Sequence, residues 1–155
     1  MTSMADIILI RTDSSDERFG ELIKELTAFL SILNGEMDAF YAPHNSVDLI
    51  RNVVVALQND IPVGCGAFKA IDPKHVEIKR MYVHPDQRGK GVGRMVLAEL
   101  EAWATELDFQ SARLETSKRL ETAVNLYQTS GYQVTPNFPP YEGVDDSVCM
   151  RKALQ

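Results

Sequence analysis

Apolar residues in the first part of the chain predict a short strand followed by an amphipathic helix. Residues 6–11 form a brief apolar run of the kind found in strands. From 19 to 33, apolar residues recur at intervals of three and four, which is typical of a helix with one buried face. Ser14 and Glu17 fit a capping box at the start of this helix, and Asn34-Gly35 is expected to end it.

The next segment predicts a second short helix and three successive strands. The helix is expected near residues 46–51. Strands are predicted over 52–58, 61–70 and 75–84, with short turns at 59–60 and 72–73 between them. Strands joined by turns this short should pair in antiparallel fashion.

Helices and strands alternate in the second half. A helical stripe from 91 to 107 is followed by a strand over 111–116 and a helix over 122–130, with Gly131 as its C-cap. Closing strands are predicted over 132–135 and 147–152. The strand-helix-strand order at 75–116 implies a parallel strand pair. The whole is therefore expected to be one α/β domain over residues 1–155, with a mixed sheet and helices on its faces.

Composition narrows the class of protein. The chain has 155 residues, 45% of them hydrophobic, and a formal charge of 16 − 22 = −6. This apolar content argues against disorder, and the sequence has no apolar run as long as the roughly 20 residues of a membrane-spanning helix. An acidic balance argues against non-specific nucleic-acid binding. The two cysteines and three scattered histidines predict no metal site, and the cysteines are expected to be buried thiols in a reducing cytoplasm.

A glycine-rich segment, QRGKGVGR at 87–94, lies directly after a predicted strand and opens a helix. Alternating glycines allow backbone N–H groups to approach an anion, and a helix N-terminus adds its dipole. Three basic side chains in the same segment add positive charge, so a phosphate or pyrophosphate is the expected ligand. The segment lacks a Walker A pattern, and Arg94 stands where a dinucleotide fingerprint has its third glycine. Glu115 lies about 20 residues on, where that fingerprint has an acidic residue that binds the ribose, so a dinucleotide site stays an alternative. A glycine-rich turn without a ligand is another.

Two segments resemble a known family. RMYVHPDQRGKGVGRMVLAELEAWA resembles the central motif of the GNAT N-acetyltransferase superfamily, [QR]-x-x-G-x-[GA] after a strand. LETAVNLYQTSGY resembles the family's later helix, N-x-x-[LA]-Y-x-x-x-G-[FY]. The closing run FPPYEGVDDSVCMRKAL is similar to the last strands of small bacterial members. The matching positions are Arg88, Gly91 and Gly93 in the first motif and Asn125, Tyr127, Gly131 and Tyr132 in the second.

The resemblance implies a three-layer fold with a central, mostly antiparallel sheet in which strands 4 and 5 are parallel and splayed. It also implies acetyl-CoA as co-substrate and no metal. The pantetheine arm would pair with the backbone of Met81 and Val83 and contact Asn125. The pyrophosphate would bind at the loop residues Arg88, Gly89, Lys90, Gly91, Gly93 and Arg94.

The resemblance further implies two catalytic side chains. Tyr127 would protonate the departing thiolate, since a phenol has a higher pKa than a thiol. Its alternative is a core aromatic residue. Glu77 would accept the proton of the amine, and its alternative is an ion pair with Lys79 or Arg113. Glu115 and Thr116 are further candidates for contact with the amine.

These features favour an N-acetyltransferase that moves an acetyl group from acetyl-CoA to a primary amine of a small molecule or peptide by direct attack. A non-catalytic acyl-CoA-binding or sensor module is the alternative. Neither a nucleic acid nor a membrane is an expected partner. The acceptor amine, a homodimeric state and the role of the loop at 138–141 stay open.

Overall fold

The computed structural model describes residues 6–35 and 49–154. These residues form a mixed, mostly antiparallel sheet with the strand order β1-β2-β3-β4-β5-β7-β6, which confirms the predicted fold class. In chain order the elements are β1 (Ile7–Thr12), α1 (Glu17–Asn34), β2 (Asn52–Gln58), β3 (Ile61–Asp72), β4 (His75–Val83), α2 (Val92–Glu106), β5 (Ser111–Ser117), α3 (Glu121–Thr129), β6 (Gln133–Thr135) and β7 (Ser147–Ala153).

The described residues divide into two compact units. The N-terminal unit contains those up to Lys69 together with Lys79–Leu100, and the C-terminal unit contains Ala70–Ile78 and those from Glu101 onward. β3, β4 and α2 contribute residues to both units.

The N-terminal unit is built on an antiparallel ladder of β1, β2 and β3. Asn59 and Asp60 both adopt positive φ angles in the turn that joins β2 to β3, as a tight hairpin turn requires. The apolar face of α1 lies in the same buried cluster as residues of β2, β3 and β4. This cluster contains Phe19, Leu22, Ile23, Leu26, Ile50, Val53, Val55, Leu57, Cys65, Ala67 and Tyr82.

The C-terminal unit contains the predicted parallel pair. His75, Val76 and Glu77 of β4 pair with Ser111, Ala112 and Arg113 of β5, and these three are the pairs described between the two strands. β5 pairs with β7 over its whole length in antiparallel fashion, and β7 also pairs with β6. The strand-helix-strand prediction is confirmed.

The predicted capping box at the start of α1 is wrong. Asp16 is the N-cap residue, and its carboxylate accepts a hydrogen bond from the backbone N–H of Arg18 at 2.9 Å. The Ser14 hydroxyl instead accepts from the N–H of Ile50 at 2.7 Å. The Ser14 hydroxyl, which local spacing predicted to cap the helix, is thus bound to a backbone N–H that is distant in sequence. Gly35 ends α1 with a φ of +51°, as expected.

The other boundaries lie within a few residues of their predictions. The predicted short helix near 46–51 falls largely outside the described residues, and residues 49–51 are not helical. Gly131 follows α3 with a φ of +100°, while Ser130 is the residue at the C-cap itself. Both cysteines are buried free thiols, as predicted. None of the helices in the described ranges is long and apolar enough to span a membrane.

Two glycines of β3 allow α2 to pack closely against the sheet of the N-terminal unit. A Cβ atom at Gly64 would lie 2.8 Å from a methyl group of Val92, the first residue of α2. A Cβ atom at Gly66 would lie 2.9 Å from Leu100 and 3.0 Å from Val96, and closer still to the sulfur of Met81. The absence of these two side chains therefore determines how near the start of α2 comes to the sheet.

We expect Gly66→Ala to lower the free energy of unfolding by about 1–3 kcal/mol, because the new methyl group overpacks a dense region. Gly20→Ala is the matched control, since a Cβ there meets nothing within 4 Å and Gly20 lies inside α1. It should stabilise by about 0.5–1 kcal/mol. Urea unfolding of both variants measures the difference, and equal effects would contradict this packing.

Candidate active site

The glycine loop occupies the predicted position between β4 and α2. A 3-10 turn over Pro85–Gln87 comes first, and the ring nitrogen Nδ1 of His84 accepts a hydrogen bond from the N–H of Asp86 at 3.2 Å. Gly89 and Gly91 then take φ angles of +78° and +83°. Residues other than glycine rarely adopt these angles, so both positions require glycine. Gly93 lies within the first turn of α2.

Arg88 has a structural role that its sequence position did not reveal. Its Nε donates a hydrogen bond to the carbonyl oxygen of Val83 at 2.9 Å. Its guanidinium also lies over two aromatic rings, 5.6 Å from the centre of Phe29 and 5.7 Å from that of Tyr82. Arg88 therefore ties the start of the loop to the end of β4 and to α1.

The remaining part of the loop suits an anionic ligand. The first turn of α2 contains no acidic residue, and it contains Arg94. Lys90, Gly89 and Gly91 are exposed, and a Cβ at Gly89 would meet nothing within 4 Å. Backbone N–H groups at such a helix start attract phosphate groups. The exposed glycines and the helix start therefore have the features of a site for a phosphate group.

The side chains of β4 alternate between buried and partly exposed positions. Val76, Ile78, Arg80 and Tyr82 are buried, and the intervening residues are partly exposed. Arg80 departs from the apolar character of that buried set. It also has a φ of +60°, which is unusual for a residue with a side chain. A charged residue in an otherwise apolar alternating set is a signal visible in the sequence, and Arg80 was not among the residues predicted for the site.

In the C-terminal unit, Glu77 forms the ion pair that was its alternative role. Its Oε1 accepts a hydrogen bond from Nε of Arg113 at 3.1 Å, and only 14% of the Glu77 side chain is exposed. The Arg113 guanidinium in turn lies 3.9 Å from the centre of the Phe138 ring. Arg113 thus links the β4 carboxylate to the loop at 138–141.

Tyr127 is a buried residue of α3, with 6% of its surface exposed. Burial raises the pKa of its phenol well above the ordinary value, and the charge of Glu115 adds to the shift. Tyr132 packs edge-on against it, with ring centres 6.0 Å apart. Tyr127 therefore stays protonated at neutral and mildly alkaline pH, as a proton donor must.

The other candidates differ in exposure. Asn125, two residues before Tyr127 on α3, is exposed.

Burial raises the pKa of the Cys65 thiol to about 12 and also raises the pKa of the Cys149 thiol, so neither is an activated nucleophile. No group of three or more metal-ligating side chains occurs in the described ranges.

Comparison with known proteins agrees with this geometry. The model of the acetyltransferase (GNAT) family matches residues 21–132. An IAA acetyltransferase of Azospirillum brasilense is 29% identical to this chain, over 97% of this chain and 100% of that protein. A solved Klebsiella pneumoniae structure, assigned as an acyl-CoA N-acyltransferase, is 31% identical with a TM-score of 0.81, and the match covers 97% of this chain and 99% of that one. A GNAT acetyltransferase from Elizabethkingia anophelis, solved with acetyl-CoA bound, shares the fold at 16% identity and a TM-score of 0.67, over 96% of this chain and 98% of that one.

The raised pKa of Tyr127 predicts how stability changes at alkaline pH. The folded state holds the phenolic proton above the ordinary pKa of about 10, whereas the unfolded state releases it there. The contribution of Tyr127 to stability is therefore complete below about pH 10 and declines above it, by up to about 1.4 kcal/mol per pH unit. Tyr127→Phe should lose less free energy of unfolding than the wild type between about pH 9 and about pH 11. Parallel losses in urea unfolding across this range would refute the shift.

Proposed function

The chain belongs to the GNAT acetyltransferase family, and we propose that it transfers the acetyl group of acetyl-CoA to a primary amine of a small molecule or peptide. The observation that carries this proposal is the loop at 88–94, in which two glycines of positive φ precede a helix whose first turn is free of acidic residues. We propose that residues 1–155 act as one transferase domain. Its two buried free thiols fit a reducing, cytoplasmic location.

Binding of acetyl-CoA is assigned to backbone groups of β4 and of the loop. The N–H groups around Gly89, Gly91 and Gly93 would hold the pyrophosphate, with Lys90 and Arg94 adding positive charge. Met81 and Val83 would pair with the pantetheine arm, and Asn125 would contact the same arm. The hydrogen bond from Arg88 to the Val83 carbonyl supports a positioning role for Arg88 beside any contact with phosphate.

Transfer requires two proton movements. As the amine nitrogen forms a bond to the carbonyl carbon, the carbon–sulfur bond breaks, and Tyr127 gives its proton to the departing sulfur. Glu77 is the candidate acceptor for the proton that the amine loses, directly or through water. The ion pair with Arg113 fixes the orientation of its carboxylate. A backbone N–H near Met81 would stabilise the oxyanion.

Tyr127→Phe should lower kcat by about 100-fold or more, which is the usual contribution of a general acid. The affinity for acetyl-CoA, measured by calorimetry, should not change. Tyr132→Phe is the matched control, because it removes a neighbouring buried hydroxyl and should keep kcat near the wild-type value. If both variants were fully active, Tyr127 would be a core aromatic residue only.

Gly91→Val should weaken binding of CoA by about tenfold or more. A β-branched residue disfavours a φ of +83° by about 1–3 kcal/mol, so the free loop should relax to another conformation and must regain this one to present its N–H groups. Gly143→Val is the control. Gly143 also has a positive φ of +76° and open space at its Cβ, but it lies outside the loop. Calorimetry with CoA measures both affinities, and equal affinities would remove the phosphate-binding role of the loop.

Release of free CoA from acetyl-CoA, followed over a panel of amines, tests the activity itself. Turnover with at least one amine is the expected result. Tight binding of CoA with no turnover on any amine would favour an acyl-CoA sensor instead.

A further inference from the structure

Arg80 is a buried arginine whose side chain lacks the partners that buried charges need. Only 9% of its surface is exposed. Its two terminal nitrogens, Nη1 and Nη2, are closed off from solvent and have no hydrogen-bond partner among the described residues. Guanidinium groups remain charged in proteins, and a buried charge without a partner is costly. Such a group is expected to have a partner in the working protein.

Among the described residues of the N-terminal unit, none provides a hydrogen bond to these two nitrogens. The Cys65 thiol donates a hydrogen bond to the carbonyl oxygen of Arg80 at 3.4 Å, so it contacts the backbone rather than the guanidinium. With its pKa raised to about 12 by burial, this thiol is uncharged. The carboxylate of Glu25 accepts from the Tyr82 hydroxyl at 3.2 Å and lies 3.7 Å from Nε2 of His84.

The backbone at Arg80 is also under constraint. Its φ of +60° places a residue with a long side chain in the left-handed region. Such conformations cost on the order of 1–3 kcal/mol and are concentrated at functional sites. In sequence, Arg80 directly precedes Met81, one of the two residues assigned above to the pantetheine arm.

We propose that Arg80 binds a carboxylate of the acceptor, so that the substrates of this enzyme are amino acids or other amines that carry a carboxylate. This inference rests on the proposed function. A guanidinium presents its N–H groups in a planar fork that matches a carboxylate with two parallel hydrogen bonds. The anionic groups of acetyl-CoA are the pyrophosphate, assigned above to the loop, and the ribose phosphate, which lies at the end of the molecule remote from the thioester; its acetyl group is uncharged. The acceptor is then the reactant that remains to provide an anion.

The test compares acceptors with and without a carboxylate. Each amino acid is paired with its own carboxamide, which keeps the amine and the side chain but removes the carboxylate charge. The ratio of kcat/KM for the amino acid to kcat/KM for its carboxamide should be higher in the wild type than in Arg80→Met by about 10- to 100-fold, as expected for charge-assisted hydrogen bonds. In Arg80→Met this ratio should fall through loss of activity on the amino acid alone. Arg151→Met, at an exposed arginine of β7, is the control and should keep the wild-type ratio.

A thermal measurement provides a readout that does not need turnover. Methionine matches the unbranched aliphatic part of arginine while removing the buried charge, so Arg80→Met should fold and melt at or above the wild-type temperature. In the presence of CoA, amino acids should raise the melting temperature of the wild type and leave that of Arg80→Met unchanged. An equal rise in both proteins would overturn the proposal.

The remaining outcomes separate the two proposals. The same ratio in the wild type and in Arg80→Met would overturn the role of Arg80 and leave amine acetylation intact. No turnover on either class, with the wild-type-specific melting shift still present, would support carboxylate binding by Arg80 and overturn the transferase function. If Arg80→Met instead lost activity only with succinyl-CoA as donor, the carboxylate would belong to the acyl group, and the acceptor assignment would be wrong.

Discussion

The close packing of α2 against the glycine positions of β3 is the constraint on which the N-terminal unit depends. Val92 lies where a side chain at Gly64 would be, and Val96 and Leu100 lie where one at Gly66 would be. This contact fixes the start of α2 relative to the sheet. The loop that precedes α2 contains glycines with positive φ angles, so the packing also sets the position of its backbone N–H groups. A helix held one methyl group farther away would move those donors.

The proposed binding of acetyl-CoA depends mainly on backbone groups, and side chains hold that backbone in position. Arg88 illustrates this, because it hydrogen-bonds to the Val83 carbonyl and stacks on Phe29 and Tyr82. A residue that sequence spacing assigned to phosphate binding therefore also holds the strand and the loop together. In the C-terminal unit, Arg113 acts in a comparable way, since it pairs with Glu77 and lies against Phe138.

The sequence was sufficient to predict elements with a strong periodic pattern, because side-chain spacing reports directly on burial. It therefore identified α1, the β2–β3 hairpin and the parallel pair of β4 and β5. It could not predict contacts between distant segments. The hydroxyl of Ser14 accepts a hydrogen bond from the N–H of Ile50, and the carboxylate of Asp16 caps α1 instead. Local spacing in the sequence does not reveal which of the two residues caps the helix. The sequence could not predict that the two terminal nitrogens of Arg80 have no hydrogen-bond partner among the described residues either, because this depends on how distant segments pack around the side chain.

Following the acetyl group itself tests the central claim most directly. The protein would be incubated with acetyl-CoA labelled in its acetyl group and with a mixture of primary amines, and the products would be analysed by mass spectrometry. Acetyl transfer by direct attack predicts a labelled N-acetyl product that accumulates in step with free CoA. Release of CoA without any N-acetylated product, or intact acetyl-CoA in a mixture where the protein binds it, would contradict the account.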